Sequence, residues 1–451
     1  MNLADAAAAA YHAGLTEESA AESAAWLEAR LAERGLVFGD RPLCTVIRPR
    51  FLSARQYLTL RDSLTPLLSA FAKAHAAALA DPVLLAQFGL ENWEETLLRA
   101  GPPPRTPSPL SRLDAFFTRG EGGLRITEYN AETPAGVAYG DALAELFLAL
   151  PAARGFQRQW RMVPLPGRQN VLEVLIAAHV ERFGRATPVS IAIVDWRDVP
   201  TQSEFRLFRE YFCGLGAACT IADPGELEYR NGRLYAAGAV VTIVYKRVLL
   251  AELVAREGLE HPLVRAVRDG AVAMVDSFHC KPLHKKASLA VLSDERNARL
   301  FDAGERAAIA RLVPWTRRVE ERRTRRGRRT IDLVPFIVAG REHLVLKPND
   351  DYGGAGVVLG WTVTQGEWER AARDALTRPY VVQERIDLPS ETFPTVVHGR
   401  LHFGSRIVDV APYAYDMSRV DGCLTRVSTD PLVNVTAGGG STVPTFVIEE
   451  R

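Results

Sequence analysis

Three consecutive prolines, Pro102, Pro103 and Pro104, stand behind Gly101 and divide this 451-residue chain into two unlike parts. Proline has no N–H and its ring clashes with the preceding helical turn, so neither a helix nor a central strand runs through such a stretch. Before the break, apolar residues recur at helical spacing in Tyr57, Leu58, Leu60, Leu64, Leu67, Leu68 and Phe71, which predicts a helical region over residues 1–100. After it the pattern changes. A hairpin is predicted over 111–130, followed by alternating helix and strand over 160–260. Residues 189–194 and 240–245 are apolar, β-branched strand candidates, and 204–212 is helical with Gly214 as its stop. This alternation predicts an α/β layer. Further on, 330–338, 343–347 and 380–384 read as strands, and 401–449 is strand-rich with glycine punctuation.

Bulk properties exclude several classes. Lys plus Arg number 55 and Asp plus Glu 54, so no general electrostatic pull toward nucleic acid or an anionic membrane is expected. The N-terminus lacks a basic stretch followed by a long apolar run, so no secretory signal is expected. The alanines at 6–10 are too few for a membrane span. The cysteines (Cys44, Cys213, Cys219, Cys280, Cys423) are odd in number and scattered, with no zinc-site spacing. A reducing cytoplasm fits them best. One segment, 317–329, is densely basic. Glu320 and Glu321 interrupt it and no aromatic residue interleaves, so a solvated helix or loop is expected there rather than a nucleic-acid surface.

The predicted hairpin carries the first chemical signal. The turn material at 119–123, closed by Thr118 and Leu124, places Asp114 opposite Glu128 and Arg112 opposite Asn130. Strand side chains alternate, so all four share one face. Two carboxylates directly opposite each other repel, and a divalent cation would remove that cost. Asp, Glu and Asn supply the hard oxygen ligands that suit magnesium held jointly with nucleotide phosphates. Arg112 offers a planar fork for a phosphate or carboxylate. The alternative is a solvated hairpin with an ordinary ion pair at Arg112.

A second signal is LVLKPNDDYGGAGVVLGW. Lys347 ends an apolar strand and is followed by Gly353, Gly354 and Gly356. Glycines let backbone N–H groups approach phosphates closely. No Walker A pattern occurs, and a plain glycine-rich turn remains the alternative. Lys286 in HKKA opens an apolar segment and otherwise reads as a solvated helix start. Gln383 and Glu384 end the strand YVVQE, which could offer backbone bonds to an adenine edge and a carboxylate to a ribose.

Taken in order, Arg112-x-Asp114, Glu128-x-Asn130 in EYNAETPAG, Lys286 in HKKA, Lys347 in LKP with its glycine loop, and Gln383-Glu384 resemble the circularly permuted ATP-grasp proteins, including the synthetase domain of glutathionylspermidine synthase. The tail GCLTRVSTDPLVNVTAGGGST is similar to the C-terminal signature of uncharacterised permuted ATP-grasp proteins. The likeness covers most of 105–449. It implies an α/β fold with a helical region at 1–100, a metal-binding hairpin within 101–160, a pre-ATP-grasp-like domain over 161–275 and nucleotide-binding lobes over 276–451. It also implies an ATP- and magnesium-dependent carboxylate–amine ligase acting on small molecules such as an amino acid, peptide or polyamine. Asp114, Glu128 and Asn130 would hold magnesium. Lys286 and Lys347 would contact phosphates, Gly353, Gly354 and Gly356 would close over them, and Gln383 and Glu384 would line the adenosine pocket. Arg112 would bind the reacting carboxylate or the acyl phosphate, and Arg426, placed with it among the catalytic residues, and Asn434 would reach ATP phosphates or magnesium from the C-terminal strands. No residues match recognition of glutathione or spermidine, and the chain has no room for an amidase domain. The alternative function is ATP binding without ligation. Two further groups each admit two readings. Asp195-Trp196-Arg197 with Glu204 could select the amine, against capping and surface pairing. Tyr245-Lys246-Arg247 could face substrate, against a strand end with exposed bases.

Overall fold

The computed structural model describes residues 2–39, 41–117, 123–351, 353–431 and 440–451. The first region is helical in the main, with helices at Leu3–Ala13, Glu17–Glu33 and a long α1 (Ala54–Ala80). Ser53 and Gln56 form a reciprocal capping box at the start of α1, which satisfies N–H groups the helix itself leaves unpaired. Of the predicted apolar face, Tyr57, Leu60, Leu64, Leu67, Leu68 and Phe71 are buried, but Leu58 is 52% exposed. The region is not wholly helical. Arg50–Ser53 is a strand that pairs in parallel with Thr445–Glu450 at the far end of the chain. No local pattern announces a partner so distant in sequence.

Beyond the prolines, β1 (Leu110–Phe117) and β2 (Leu124–Asn130) form the predicted hairpin. Arg112 opposes Asn130 and Asp114 opposes Glu128, as counted from the sequence. The count was right at that end but the closure differs. Phe117, not Thr118, pairs with Leu124, and the register shifts between Asp114 and Ala115. Thr118 and most of the turn lie outside the described residues. The extra residue is Thr127, between Ile126 opposite Ala115 and Glu128 opposite Asp114. Such a bulge re-aims the side chains that follow it. Leu124 and Ile126 point into the core with Leu113 and Ala115, and after the bulge it is Tyr129 that does so. Strict alternation from Ile126 would have sent Glu128 inward instead. The core beneath is α1, whose Phe71 stacks on Tyr129 at 4.4 Å between ring centroids.

From the hairpin the chain enters α2 (Val137–Ala149) and then the predicted α/β layer. Here β3 (Ser190–Val194) and β4 (Ile243–Lys246) are the central strands of a parallel sheet, flanked by Ala218–Ala222 and Ala273–Val275. The predicted strand over 240–245 is in fact two. Ala239–Val241 belongs to a small antiparallel sheet, and β4 begins at Ile243.

The last part supplies α3 (Ala287–Ser293), β5 (Leu344–Pro348) and β6 (Tyr380–Glu384), with β5 and β6 antiparallel. Two expectations fail here. Residues 333–339 are helix rather than strand, because Leu333 and Ile337 lie one helical turn apart and pack with Trp368, whose Nε1 donates to the Ile337 carbonyl. The basic run is neither solvated helix nor loop. It forms a strand, Thr316–Arg318, and a hairpin, Arg323–Arg326 with Arg329–Asp332. Arg317 pairs with Glu295, and Arg322 with Asp294 and Glu295. Finally, Ser390–Val397, Arg400–Val408, Arg419–Ser428 and Ala411–Tyr415 extend the β1–β2 hairpin into one antiparallel sheet. Among the described residues no helix is long and apolar enough to cross a membrane.

Deleting Thr127 should restore strict alternation and force the Glu128 carboxylate toward the apolar core. The loss expected is ~3 kcal/mol or more of unfolding free energy, as for an uncompensated buried charge. Thr127→Ala keeps the bulge and removes only the hydroxyl bond to the Asp114 carbonyl, so it should cost ~1 kcal/mol. Urea unfolding of both variants checks the difference.

Candidate active site

One cavity of about 570 Å³ opens between the hairpin sheet, the parallel sheet and the β5–β6 sheet. Arg112 and Asp114 from β1, Glu128 and Asn130 from β2, and Arg426 from the strand Arg419–Ser428 form one wall. Lys286, just before α3, Lys347 on β5, and Gln383 and Glu384 at the end of β6 form another. Gly353 and Gly354 close one side. Residues more than 300 positions apart thus meet in one space. Gly356 is the exception. It does not line the cavity; at φ +67° it packs on Pro348 and Tyr380, where an added Cβ would lie 2.7 Å from Pro348 Cγ. Its glycine is required by backbone conformation and close packing. Asn434 lies outside the described residues.

The repulsion foreseen between Asp114 and Glu128 is met by the protein's own cations. Arg112 Nε donates to Asp114 Oδ1 at 2.8 Å and Arg426 Nη2 to Oδ2 at 2.8 Å. Burial by itself would raise the Asp114 pKa, but Arg112 and then Arg426 hold it well below the usual carboxylate range. Arg426 also donates from Nε to Asp409 at 2.6 Å. Across the hairpin, Lys286 Nζ lies 3.2 Å from Glu128 Oε1. Lys286 is therefore buried and paired, not a solvated helix start. Lys347 Nζ donates to Gln383 Oε1 at 2.7 Å and to the carbonyl of the bulge residue Thr127 at 3.1 Å. Desolvation, helped by Lys286, brings its pKa down to about 8 against the pull of Glu128 and Asp114. Four cations (Arg112, Arg426, Lys286, Lys347) thus face three carboxylates (Asp114, Glu128, Asp409), leaving positive charge for an anion. Asn130 Nδ2 is buried without a hydrogen-bond partner among the described residues. Such a group is costly unless something in the cavity satisfies it.

A second charged group, not singled out in the sequence, frames the site. Glu132, two residues past Asn130, is fully buried; it takes Lys281 Nζ at 2.9 Å and the Leu250 N–H at 2.6 Å. Lys281 also reaches Asp350 at 2.8 Å, and Lys285 joins Asp350 and Glu94 at 2.8 and 2.7 Å. The network ties the end of the hairpin to the start of the glycine loop. His284 lies among these charges, and burial lowers its pKa to about 4, so it is neutral. Lys281 and Lys285 stand four residues apart, a spacing that places both on one side of a helical turn. Glu132 in EYNAETPAG, Lys285 in HKKA and Asp350 ahead of the glycines also lie inside the quoted motifs.

The lightly weighed residues divide. Glu204 is fully buried and caps α2, accepting from Gly136 N at 2.8 Å and Ala138 N at 3.2 Å, so capping is what it does. Arg197 is exposed and pairs with Glu226. Tyr245, Lys246 and Arg247 are all buried, contrary to a strand end with exposed bases. Asp195 and Arg247 line the cavity. The basic run contributes as well: Arg326 Nη1 donates to Glu384 Oε2 at 3.2 Å, at the rim.

No protein-family model and no curated protein matches the chain. A solved structure does: a glutathione synthetase-like effector from Globodera pallida, in its apo form, at 12% identity and TM-score 0.61, with 96% of each chain covered. A γ-glutamylcysteine synthetase-like protein from Methylobacillus flagellatus aligns at 11% identity and TM-score 0.41 over 88% of this chain and 89% of its own. D-alanyl-alanine synthetase A from Vibrio cholerae aligns at 10% identity and TM-score 0.25 over 50% and 67%. The last two are too distant to carry an argument. The first shows the fold: a mixed α/β architecture shared end to end with that glutathione synthetase-like effector.

The depressed pKa of Lys347 has a sign that can be tested. Below about 8 the amine is charged in both folded and unfolded chains, and its desolvation penalty is fully present. Between about 8 and the ordinary 10.5 the unfolded chain binds the extra proton, so stability rises with pH. Urea melts across this window should show the rise at Lys347, and Lys347→Met should flatten that component.

Proposed function

We propose that the protein is an ATP- and magnesium-dependent ligase that joins a carboxylate to an amine through an acyl phosphate. The observation carrying this reading is the convergence, in one cavity, of a carboxylate–amide face (Asp114, Glu128, Asn130) with two buried lysines, a glycine loop and the strand end Gln383-Glu384. The shared synthetase fold agrees with it.

Magnesium fits the residues present. The donors are hard oxygens on one face of one hairpin. Asn130 offers its carbonyl Oδ1, the oxygens of Asp114 and Glu128 retain lone pairs beyond those their cations use, and the unpartnered Asn130 Nδ2 suits a phosphate oxygen beside the ion. Asp114, Glu128 and Asn130 would hold the ion. When bound, it supplies charge neutralisation between the nucleotide phosphates and the attacking carboxylate.

The remaining work falls to side chains of this chain. Lys286 and Lys347 hold the phosphates and stabilise the charge that develops as a substrate carboxylate attacks the γ-phosphorus. Gly353 and Gly354 let backbone N–H groups approach the same phosphates. Glu384, oriented by Arg326, accepts from the ribose, and Gln383 keeps the Lys347 amine aimed. Arg112 and Arg426 keep positive charge where the acyl phosphate forms, and an amine then displaces phosphate. No side-chain nucleophile is required. On this reading residues 1–100 form a helical support, 101–160 the metal hairpin, 161–275 the substrate-facing α/β unit and 276–451 the nucleotide lobes.

The test is ADP release with magnesium, ATP and pooled amino acids, peptides and polyamines. Glu128→Gln should abolish metal-dependent turnover, and Lys347→Met should lower kcat by ~100-fold or more, the scale of losing one preorganised charge contact. Both variants should melt within a few degrees of the parent. ATP binding by calorimetry with no ADP release from any pool would favour a binding protein over a ligase.

A further inference from the structure

The cavity continues past the phosphate-facing wall to the C-terminal edge of the parallel sheet. Val194 on β3 and Lys246 on β4 are register partners, so Asp195 and Arg247, the next residues of each strand, emerge side by side there. Both line the cavity and both are more than nine-tenths buried. They differ in how they are satisfied. Arg247 has its charge partner: Nη2 reaches Glu204 at 3.3 Å and Nη1 the Tyr245 hydroxyl at 3.1 Å, while Nε makes no hydrogen bond among the described residues. Asp195 accepts one bond at Oδ1, from the N–H of Trp196 at 2.9 Å, and none is made at Oδ2 among the described residues. Glu252, whose Oε2 accepts from Trp196 Nε1, stands on the same wall. With Arg247 already matched by Glu204, Asp195 sets a negative charge at this end of the cavity, whereas the hairpin end is positive.

A largely buried carboxylate with one oxygen open to the cavity presents an acceptor that a charged donor can reach. Burial lifts the Asp195 pKa to about 6, with Arg247 pulling the other way. An ammonium is the ligand chemistry that fits, through a charge-assisted bond. A second carboxylate would be repelled, and a lone aspartate supplies too few oxygens for a divalent cation. Val199 and Leu249, close in sequence to Asp195 and Arg247, give the cavity apolar lining, as do Phe38 and Leu43.

We propose that Asp195 anchors the ammonium group of the amine-bearing substrate, whose body is apolar and lies against Phe38, Leu43, Val199 and Leu249. The proposal rests on the ligase reading for its place in the reaction. Opposite charge at the two ends of one cavity sorts the co-substrates: anionic carboxylate and phosphate toward Arg112, Arg426, Lys286 and Lys347, and the cationic amine toward Asp195. In ligation the ammonium gives one proton to the Asp195 carboxylate, its nitrogen attacks the acyl carbon, the C–O bond to phosphate breaks, and the second proton leaves with the phosphate.

The probes are n-hexylamine, n-hexanol and hexanoate, titrated by calorimetry into the full-length protein and into Asp195→Asn, which keeps the shape and removes the charge. Hexylamine should bind the parent better than hexanol and hexanoate, and its Kd should rise by ~10- to 100-fold in the variant, the worth of one charged hydrogen bond. Hexylamine binding equally well to both proteins, or not at all to the parent, overturns the proposal. A second measurement separates this failure from failure of the ligase reading. Hydroxylamine traps an acyl phosphate without needing an ammonium subsite. Asp195→Asn should therefore keep ATP-dependent hydroxamate formation with pooled carboxylates while losing amide formation with hexylamine. No hydroxamate from the parent counts against the ligase reading, and the calorimetry still decides the subsite.

Discussion

Asp114 stands between two arginines, and much of the cavity depends on that placement. Its carboxylate is out of water, and only the guanidinium groups of Arg112 and Arg426 make the charged form tolerable. Arg426 is in turn held by Asp409. The arrangement joins two strands that pair elsewhere in the sheet, β1 and Arg419–Ser428. Removing one partner of such a buried set leaves the others uncompensated, a loss of ~3–5 kcal/mol. The same arrangement supplies polarity. One wall of the cavity carries concentrated positive charge that is pinned in place before any ligand arrives, which is the condition under which charge contributes most to a transition state.

The network around Glu132 does for position what the arginines do for charge. It binds the segment leaving β2 to Lys281, and Lys281 and Lys285 to Asp350, the residue before the glycine loop. The hairpin face and the loop are thus referenced to a common buried point. Thr127 adds a finer adjustment. Its insertion turns Glu128 toward the cavity, and its carbonyl receives Lys347. Metal-facing and phosphate-facing groups are in this way set against one another by backbone geometry rather than by flexible side chains alone.

Legibility in the sequence followed the range of the forces involved. Alternation and turn chemistry act over a few residues, so the hairpin, β3, β5 and β6 were all readable, as was the break at the prolines. The Asp114–Glu128 register was readable too, although the bulge that produces it was not. A bulge compensated by a turn one residue longer leaves the same pairing at the open end of the hairpin. The helix at 333–339 was misread because β-branched residues there resemble a strand until Trp368 packs over Leu333 and Ile337. The basic run looked solvated because its partners Asp294, Glu295 and Glu384 come from other elements.

What the sequence by itself determined is therefore the inventory: the hairpin and the strands β3, β5 and β6, which carboxylates share a face, and which lysines end or begin apolar segments. The tertiary structure alone decided how those charges are paired. Glu204 is a cap and Asp195 a cavity wall, although nine residues separate them. Gly353 faces the cavity, and Gly356 three positions later does not. The reason is that a charge's role depends on its distance from other charges and from water, and those distances are set by contacts between residues hundreds of positions apart.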